Sequence, residues 1–237
     1  MSNQRLEGYE NKIADLIAKD MNATVKYTWM PQRRGFVRRT LKVGECDVVM
    51  DVPAGYEMVL ATKPYYRSTY VFVYRRDKNI DLHSIDDPVL RDLRIGLHMA
   101  SEDGANQPPA HALAKRRLVN NVVGFRMFDV DSAESPPGKI VDAVAAGEID
   151  VAIVWGPFGG YFARQQKVPL HVVPVSPAID PPGVPFVFEM AMGVRRGQEA
   201  FKLELEGILD RRQADIQKIL EEYGIPLVAV AAHAPPR

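Results

Sequence analysis

Apolar residues in the first third of the chain recur at two different spacings. Ile13, Leu16, Ile17 and Met21 fall three or four apart, the spacing of one helical face, and predict a helix over residues 8–21. Residues 24–30, TVKYTWM, are β-branched and aromatic and predict a strand, stopped at Pro31. Residues 35–43 predict a second helix, ended by Gly44. DVVM at 47–50 is a short continuous apolar run, the pattern of a strand covered on both faces. Residues 65–76 form a long β-prone stretch whose apolar heart is 69–74.

A second series follows. Strands are predicted at 93–99 and 122–128, with a helix at 110–118 between them. A helix at 139–146 ends at Gly147 and leads into a buried strand at 151–154. Trp155, Gly156 and Pro157 then read as an exit loop, before a helix at 161–166 and a strand at 170–175. Prolines punctuate a connector up to Pro185, and a strand at 186–194 follows. One long amphipathic helix, or two, fills 198–223 and stops at Gly224. Alternating strands and helices predict an α/β protein with mixed, mostly parallel sheets.

The chain repeats itself at a constant offset. GFVRRTLKVGECDVVM at 35–50 aligns with GKIVDAVAAGEIDVAI at 138–153. Gly35, Gly44, Glu45 and Asp47 match Gly138, Gly147, Glu148 and Asp150, and the apolar positions coincide. Each copy is a helix, a glycine stop, an acidic turn and a buried strand, which predicts two related lobes. Lobe one is expected over 1–74 plus 186–237 and lobe two over 75–185, with crossings near 71–76 and 182–188. The second copy is preceded by strand, helix, strand. The first has only helix and strand before it, so the first strand of lobe one is expected to be absent from this sequence.

Composition excludes more than it assigns. Thirty basic residues balance thirty acidic ones, which gives no support for a general nucleic-acid or membrane-surface role. No apolar run approaches the roughly 18 residues of a membrane span, and the opening residues show no secretory pattern. Cys46 is the single cysteine, so it reads as a small core residue or as a thiol without its partner. The five histidines lack zinc-ligand spacing, and no nucleophile elbow, P-loop or dinucleotide motif is present. Neither catalytic residues, nor a metal site, nor a cofactor of the chain's own is expected. Asp47 and Asp150 recur at strand starts and read as turn or capping groups.

In parallel α/β sheets, ligands bind beyond the carboxyl ends of the strands. The repeat places two such ends in equivalent positions: Asp51, Pro53 and Gly55 in lobe one, Trp155 and Gly156 in lobe two. Ser101, Asp103 and Asn106 lie on a loop that opens a helix, whose backbone N–H groups suit an anion. The loop's own acids can instead serve that helix end. Trp155 reads equally as a cleft-facing ring or as a core residue. Arg33 and Arg34 stand at a helix start, where the dipole disfavours cations; they read as a partner contact or a solvated pair. Tyr66 and Arg67, after Tyr65, precede the crossing strand and flank the expected cleft.

Taken together, TWMPQRRGF, GECDVVMDVPAGYEMVLATKPYYRSTYVFVYR, DGANQPPAHALA and VDAVAAGEIDVAIVWGP resemble the type II periplasmic solute-binding fold. More narrowly they resemble the MxaJ/XoxJ family, binding-protein-like accessories of quinoprotein methanol dehydrogenases, over nearly the whole chain. The resemblance implies a periplasmic setting, a two-lobed fold, and a role in maturation or activation of a dehydrogenase, here of the lanthanide type. The quinone and the metal would be the partner's. It also implies an opening strand whose cysteine would pair with Cys46. The carboxylate-clamping arginine of amino-acid-binding relatives has no confident equivalent here. A transport receptor for a small organic molecule is the alternative, and a dehydratase on the same fold a more distant one.

Overall fold

The computed structural model describes residues 6–30, 35–99, 107–127 and 136–229. Helix α1 (Tyr9–Asp20) buries Tyr9, Ile13 and Ile17 along one stripe. Asn11 is buried in its first turn, and its Oδ1 accepts a hydrogen bond from the Gly8 amide (3.1 Å). Residues 24–30 belong to no strand. Their composition suits a sheet, yet a strand exists only with a ladder partner. Thr28 Oγ1 donates to Glu45 O at 2.6 Å, and Tyr27 stacks on Trp29, so side-chain contacts hold the segment instead.

The helix expected over 35–43 is shorter. Helix α2 (Phe36–Arg39) ends at buried Thr40, whose hydroxyl bonds back to Phe36 O at 2.9 Å, and only a single 3₁₀ turn follows. Strand β1 (Val48–Pro53), the two-residue β2 (Leu60–Ala61) and the long β3 (Tyr66–Arg75) come next. Then follow β4 (Ile95–Met99), α3 (Pro108–Lys115), β5 (Val122–Arg126), α4 (Lys139–Ala146) and β6 (Val151–Trp155).

Helix α5 (Gly156–Arg164) starts directly at the end of β6, where the sequence suggested a loop. Proline in a first helical turn costs nothing, because its missing N–H would have had no intrahelical partner. The glycines, poor helix formers, are there for proximity. A Cβ at Gly156 would lie 2.5 Å from Thr69 O, and one at Gly159 2.6 Å from Val71 Cγ2. The chain continues through β7 (Leu170–Pro174), the hairpin β8 (Ile179–Asp180) and β9 (Val184–Pro185), and β10 (Val187–Val194). It closes with α6 (Glu199–Arg211) and α7 (Gln213–Glu222). The break between these two falls at Arg212, where Arg211 and Arg212 both bind Asp20 at the end of α1 (2.6 and 2.7 Å).

The strand order is β1-β10-β3-β6-β4-β5, with β2 on β10 and β7 on β3. Among the described strands, β4 pairs parallel with its neighbours β5 and β6; the strands that cross between lobes run antiparallel to theirs. β3 changes partner midway. Tyr66–Thr69 pair with β10, whereas Tyr70–Tyr74 pair with β6 on one side and Val71–Arg75 with β7 on the other. Cores form on both sides of this switch. One gathers Tyr9, Ile13, Met192, Ile208 and Ile216; the others gather Phe72, Ile85 and Leu113, and Val73, Ile140 and Val154. The result is a two-lobed α/β molecule.

The repeat is visible as physics. Gly44 and Gly147 share a left-handed conformation (φ 83° and 77°), which only glycine adopts cheaply at a helix end. Asp47 binds Arg195 (2.9 Å), and Asp150 binds the Arg94 amide and guanidinium (2.8 and 3.1 Å). Both aspartates therefore fasten neighbouring strand ends, and neither faces a cleft. Lobe two places β4 between β5 and β6; in lobe one, among the described residues, β1 has a ladder partner only in β10.

One buried ion pair holds the hairpin that feeds β10. Arg116, after α3, reaches Asp180 (2.6 Å) and Asp86 (2.8 Å), and Asp180 is 1% exposed. The Arg116 guanidinium holds the Asp180 carboxyl below the usual range. Removing Asp180 leaves Arg116 bonded to Asp86 alone and costs about 3 kcal/mol, the low end for breaking a buried pair. Asp180→Ala is expected to lower the melting temperature by roughly 6–12 °C, read by circular dichroism.

Candidate functional site: a tyrosine-ringed carboxylate below the crossing strands

β1 is irregular where the chemistry gathers. Its register against β10 shifts between Val49 and Val52, and Asp51 within the shift has φ 55°. A left-handed aspartate costs energy but is among the more tolerated cases. Here the distortion turns the Asp51 carboxylate toward three phenols. Tyr9 and Tyr65 donate to it through short hydrogen bonds, and Tyr66 donates at 2.9 Å. The hydroxyls of Tyr9 and Tyr66 lie 3.1 Å apart. Burial, then the Asp51 charge, pushes all three tyrosines well above their usual pKa, so they stay neutral donors. Burial raises the neighbouring Glu10 carboxyl too, with Asp51 adding to it.

Among the described residues, the other expected positions are placed differently. Pro53 ends β1 opposite Met190, and Gly55 is exposed with nothing within 4 Å of where its Cβ would be. Gly55 and Tyr56 line an open groove of about 420 Å³ shared with Glu57, Arg196 and Glu199. Trp155 lies elsewhere. It is partly buried, edge-on to Tyr70 (5.5 Å) and Phe188 (5.7 Å), and packs against the cores of both lobes. Gly156 is buried against β3, where its lack of a side chain matters, and offers no side chain to a ligand. Arg67 pairs across from Glu189, and its Nη1 donates to Ala229 O (3.1 Å). Of the twelve expected positions, the structure joins Asp51 to Tyr66. Arg33, Arg34, Ser101, Asp103 and Asn106 lie outside the described residues.

Sequence reasoning missed Tyr9 and Glu10. Their only sequence signal is an aromatic–acid pair opening a helix. Nothing local links that pair to Asp51, 42 residues away from Tyr9.

Among the described residues, His98, on β4, is the buried histidine. Its Nε2 faces Pro137 O at 3.1 Å, and Phe158 sits edge-on 5.7 Å away. Burial pushes its pKa down to about 4, so the ring is neutral at pH 7. Among the described residues, no three His, Cys, Asp or Glu side chains converge as a metal site.

Two outcomes follow from this geometry. Asp51→Asn keeps the backbone tolerance but replaces one acceptor oxygen by an amide donor facing phenols. It is expected to cost about 1.5–3 kcal/mol, measured by urea unfolding. A histidine whose folded pKa is depressed contributes stability above its unfolded pKa and loses it as pH falls. The protein should therefore weaken as pH drops from the ordinary histidine value of 6.5 toward 4. His98→Gln is expected to flatten that limb in melts taken across the range.

Comparison with known proteins places the chain. Residues 1–225 match the model of the bacterial extracellular solute-binding proteins, family 3. Protein MoxJ of Methylorubrum extorquens (strain AM1) is 32% identical over 236 residues, covering 94% of this chain and 77% of that protein. The crystal structure of periplasmic binding protein XoxJ from Methylobacterium extorquens AM1 superposes with a TM-score of 0.79 at 35% identity, over 97% of this chain and 94% of that one. MxaJ from Methlophaga aminisulfidivorans MPT superposes at 0.83 with 27% identity, over 96% and 95%. This chain belongs to the bacterial extracellular solute-binding proteins, family 3.

Proposed function

We propose that this chain is a non-catalytic periplasmic accessory protein that associates with a quinoprotein methanol dehydrogenase of the lanthanide type and acts in its maturation or activation. The metal and the quinone belong to the enzyme. The observation that carries this reading is the state of Asp51. It is the acid at the carboxyl end of β1, where a solute's cationic group would look for a counter-charge. Its two oxygens already accept three phenolic hydrogen bonds, which spends nearly all the acceptor capacity of a carboxylate. Likeness to MoxJ, XoxJ and MxaJ over more than nine-tenths of this chain supports the same reading.

Family membership favours a second reading, a receptor delivering a small organic solute to a transporter. One experiment separates the two. The purified chain is immobilised and challenged with dehydrogenase lacking quinone and metal. It is also titrated calorimetrically with amino acids and small organic acids. The accessory role predicts retention of the apo-enzyme and a larger yield of active enzyme after quinone and lanthanide are added, with no solute heat. Micromolar solute binding without retention of the enzyme would establish the receptor.

A further inference from the structure

We propose that the end of α7 and the segment 223–229 form a strap that locks the two lobes at one fixed angle, so that this chain does not hinge about its crossing strands. Such a hinge would act at the crossings, one of them at Thr69–Tyr70, where β3 leaves β10 and joins β6, with Phe186 of the other hydrogen-bonded beside it. Rotation there would move α5, which continues directly from β6, against α7, which packs on α1 in the other lobe. The structure ties these two helices together from both directions.

Approach is blocked by contact. A Cβ at Gly160 would collide with the Gly224 carbonyl oxygen, and one at Gly224 would lie 2.5 Å from Arg164 Nε. The two backbones already touch as closely as glycine permits. Tyr161 also stacks on Tyr223 with ring centroids 5.7 Å apart and planes 17° from parallel.

Separation is blocked by tethers. Arg164 Nη1 donates to Glu221 O (2.9 Å), which also accepts the Gly224 amide (2.9 Å), and to Glu222 O (3.0 Å), carbonyls of the last turn of α7. Beyond α7 the strap runs along the edge of β3. Ser68 Oγ donates to Pro226 O (2.6 Å), Ser68 bridges Leu227 antiparallel, and the Val228 amide donates to Arg67 O (2.9 Å). Arg67 Nη1 reaches on to Ala229 O (3.1 Å). These bonds and the single bridge fasten the strap to the β10-paired half of β3, on α7's own side of the switch, so the contacts that span it are those of Gly160, Tyr161 and Arg164. The strap also uses the small residues of α5 and the polar residues of β3 that neither lobe core requires. The lock stands independently of the accessory role.

The test is the interlobe distance in the full chain. Spin labels are placed at exposed Lys42→Cys and Lys167→Cys in a Cys46→Ser background, and pulsed dipolar spectroscopy is read with and without Arg164→Gln. The lock predicts one narrow distance in the parent and a broadened or second population in Arg164→Gln. It also predicts that the Val228 amide exchanges with solvent faster by roughly tenfold, the loss expected for two hydrogen bonds. Gly160→Ala should act more strongly; if it fails to fold, Tyr223→Ala serves as the second variant, removing the stack alone. A parent that already shows two distances overturns the lock. So does a single unchanged distance in both variants when Val228 exchange has risen.

Discussion

The structure depends on one strand serving two sheets. β3 has ten residues, and the four at its start pair with β10 while the rest lie between β6 and β7. Val71, Phe72 and Val73 are fully buried in succession, because both faces of the strand are covered and no alternation survives. Burying each such side chain contributes about 1.5–3 kcal/mol, but its placement matters more than its sum. With β3 in position, β10 is aimed into the core of α1, α6 and α7, and β6 is aimed so that its last residue, Trp155, touches both lobes. The alignment of α5 with α7 follows from the same geometry.

Polar groups near this strand are arranged by the cost of burying them. A carboxylate below a sheet must be satisfied, and Asp51 meets that demand by bending its own strand into a bulge and collecting hydroxyls from α1 and from the start of β3. Three charge-assisted hydrogen bonds offset a left-handed backbone that would otherwise be unfavourable. The cluster also pins α1, since Tyr9 is its first residue and Tyr223, just past α7, packs edge-on against that ring. His98 solves the opposite problem. Burial keeps it neutral, and its Nε2 meets the Pro137 carbonyl. Both arrangements read as chemistry absorbed into structure, and this is why the function proposed for the chain rests on a protein partner.

Periodicity and turn chemistry alone determined most of the elements. α4 begins and ends where its helical spacing and Gly147 placed it, β6 and β10 lie within a residue of their apolar runs, and the offset repeat foretold two lobes. Those features are local: a helix face, a glycine cap or a covered strand is written into neighbouring residues. Only the tertiary structure decided the rest. Residues 24–30 have strand composition but no ladder partner, so propensity goes unused. Gly156–Arg164 has poor helix composition yet is helical, because only glycine lets its backbone approach β3 and Gly224. Asp51 meets Tyr9 across 42 positions, and Ser68 meets Pro226 across 158. No pattern in a one-dimensional chain encodes such meetings. They arise when folded elements bring distant polar groups out of water and leave them only each other.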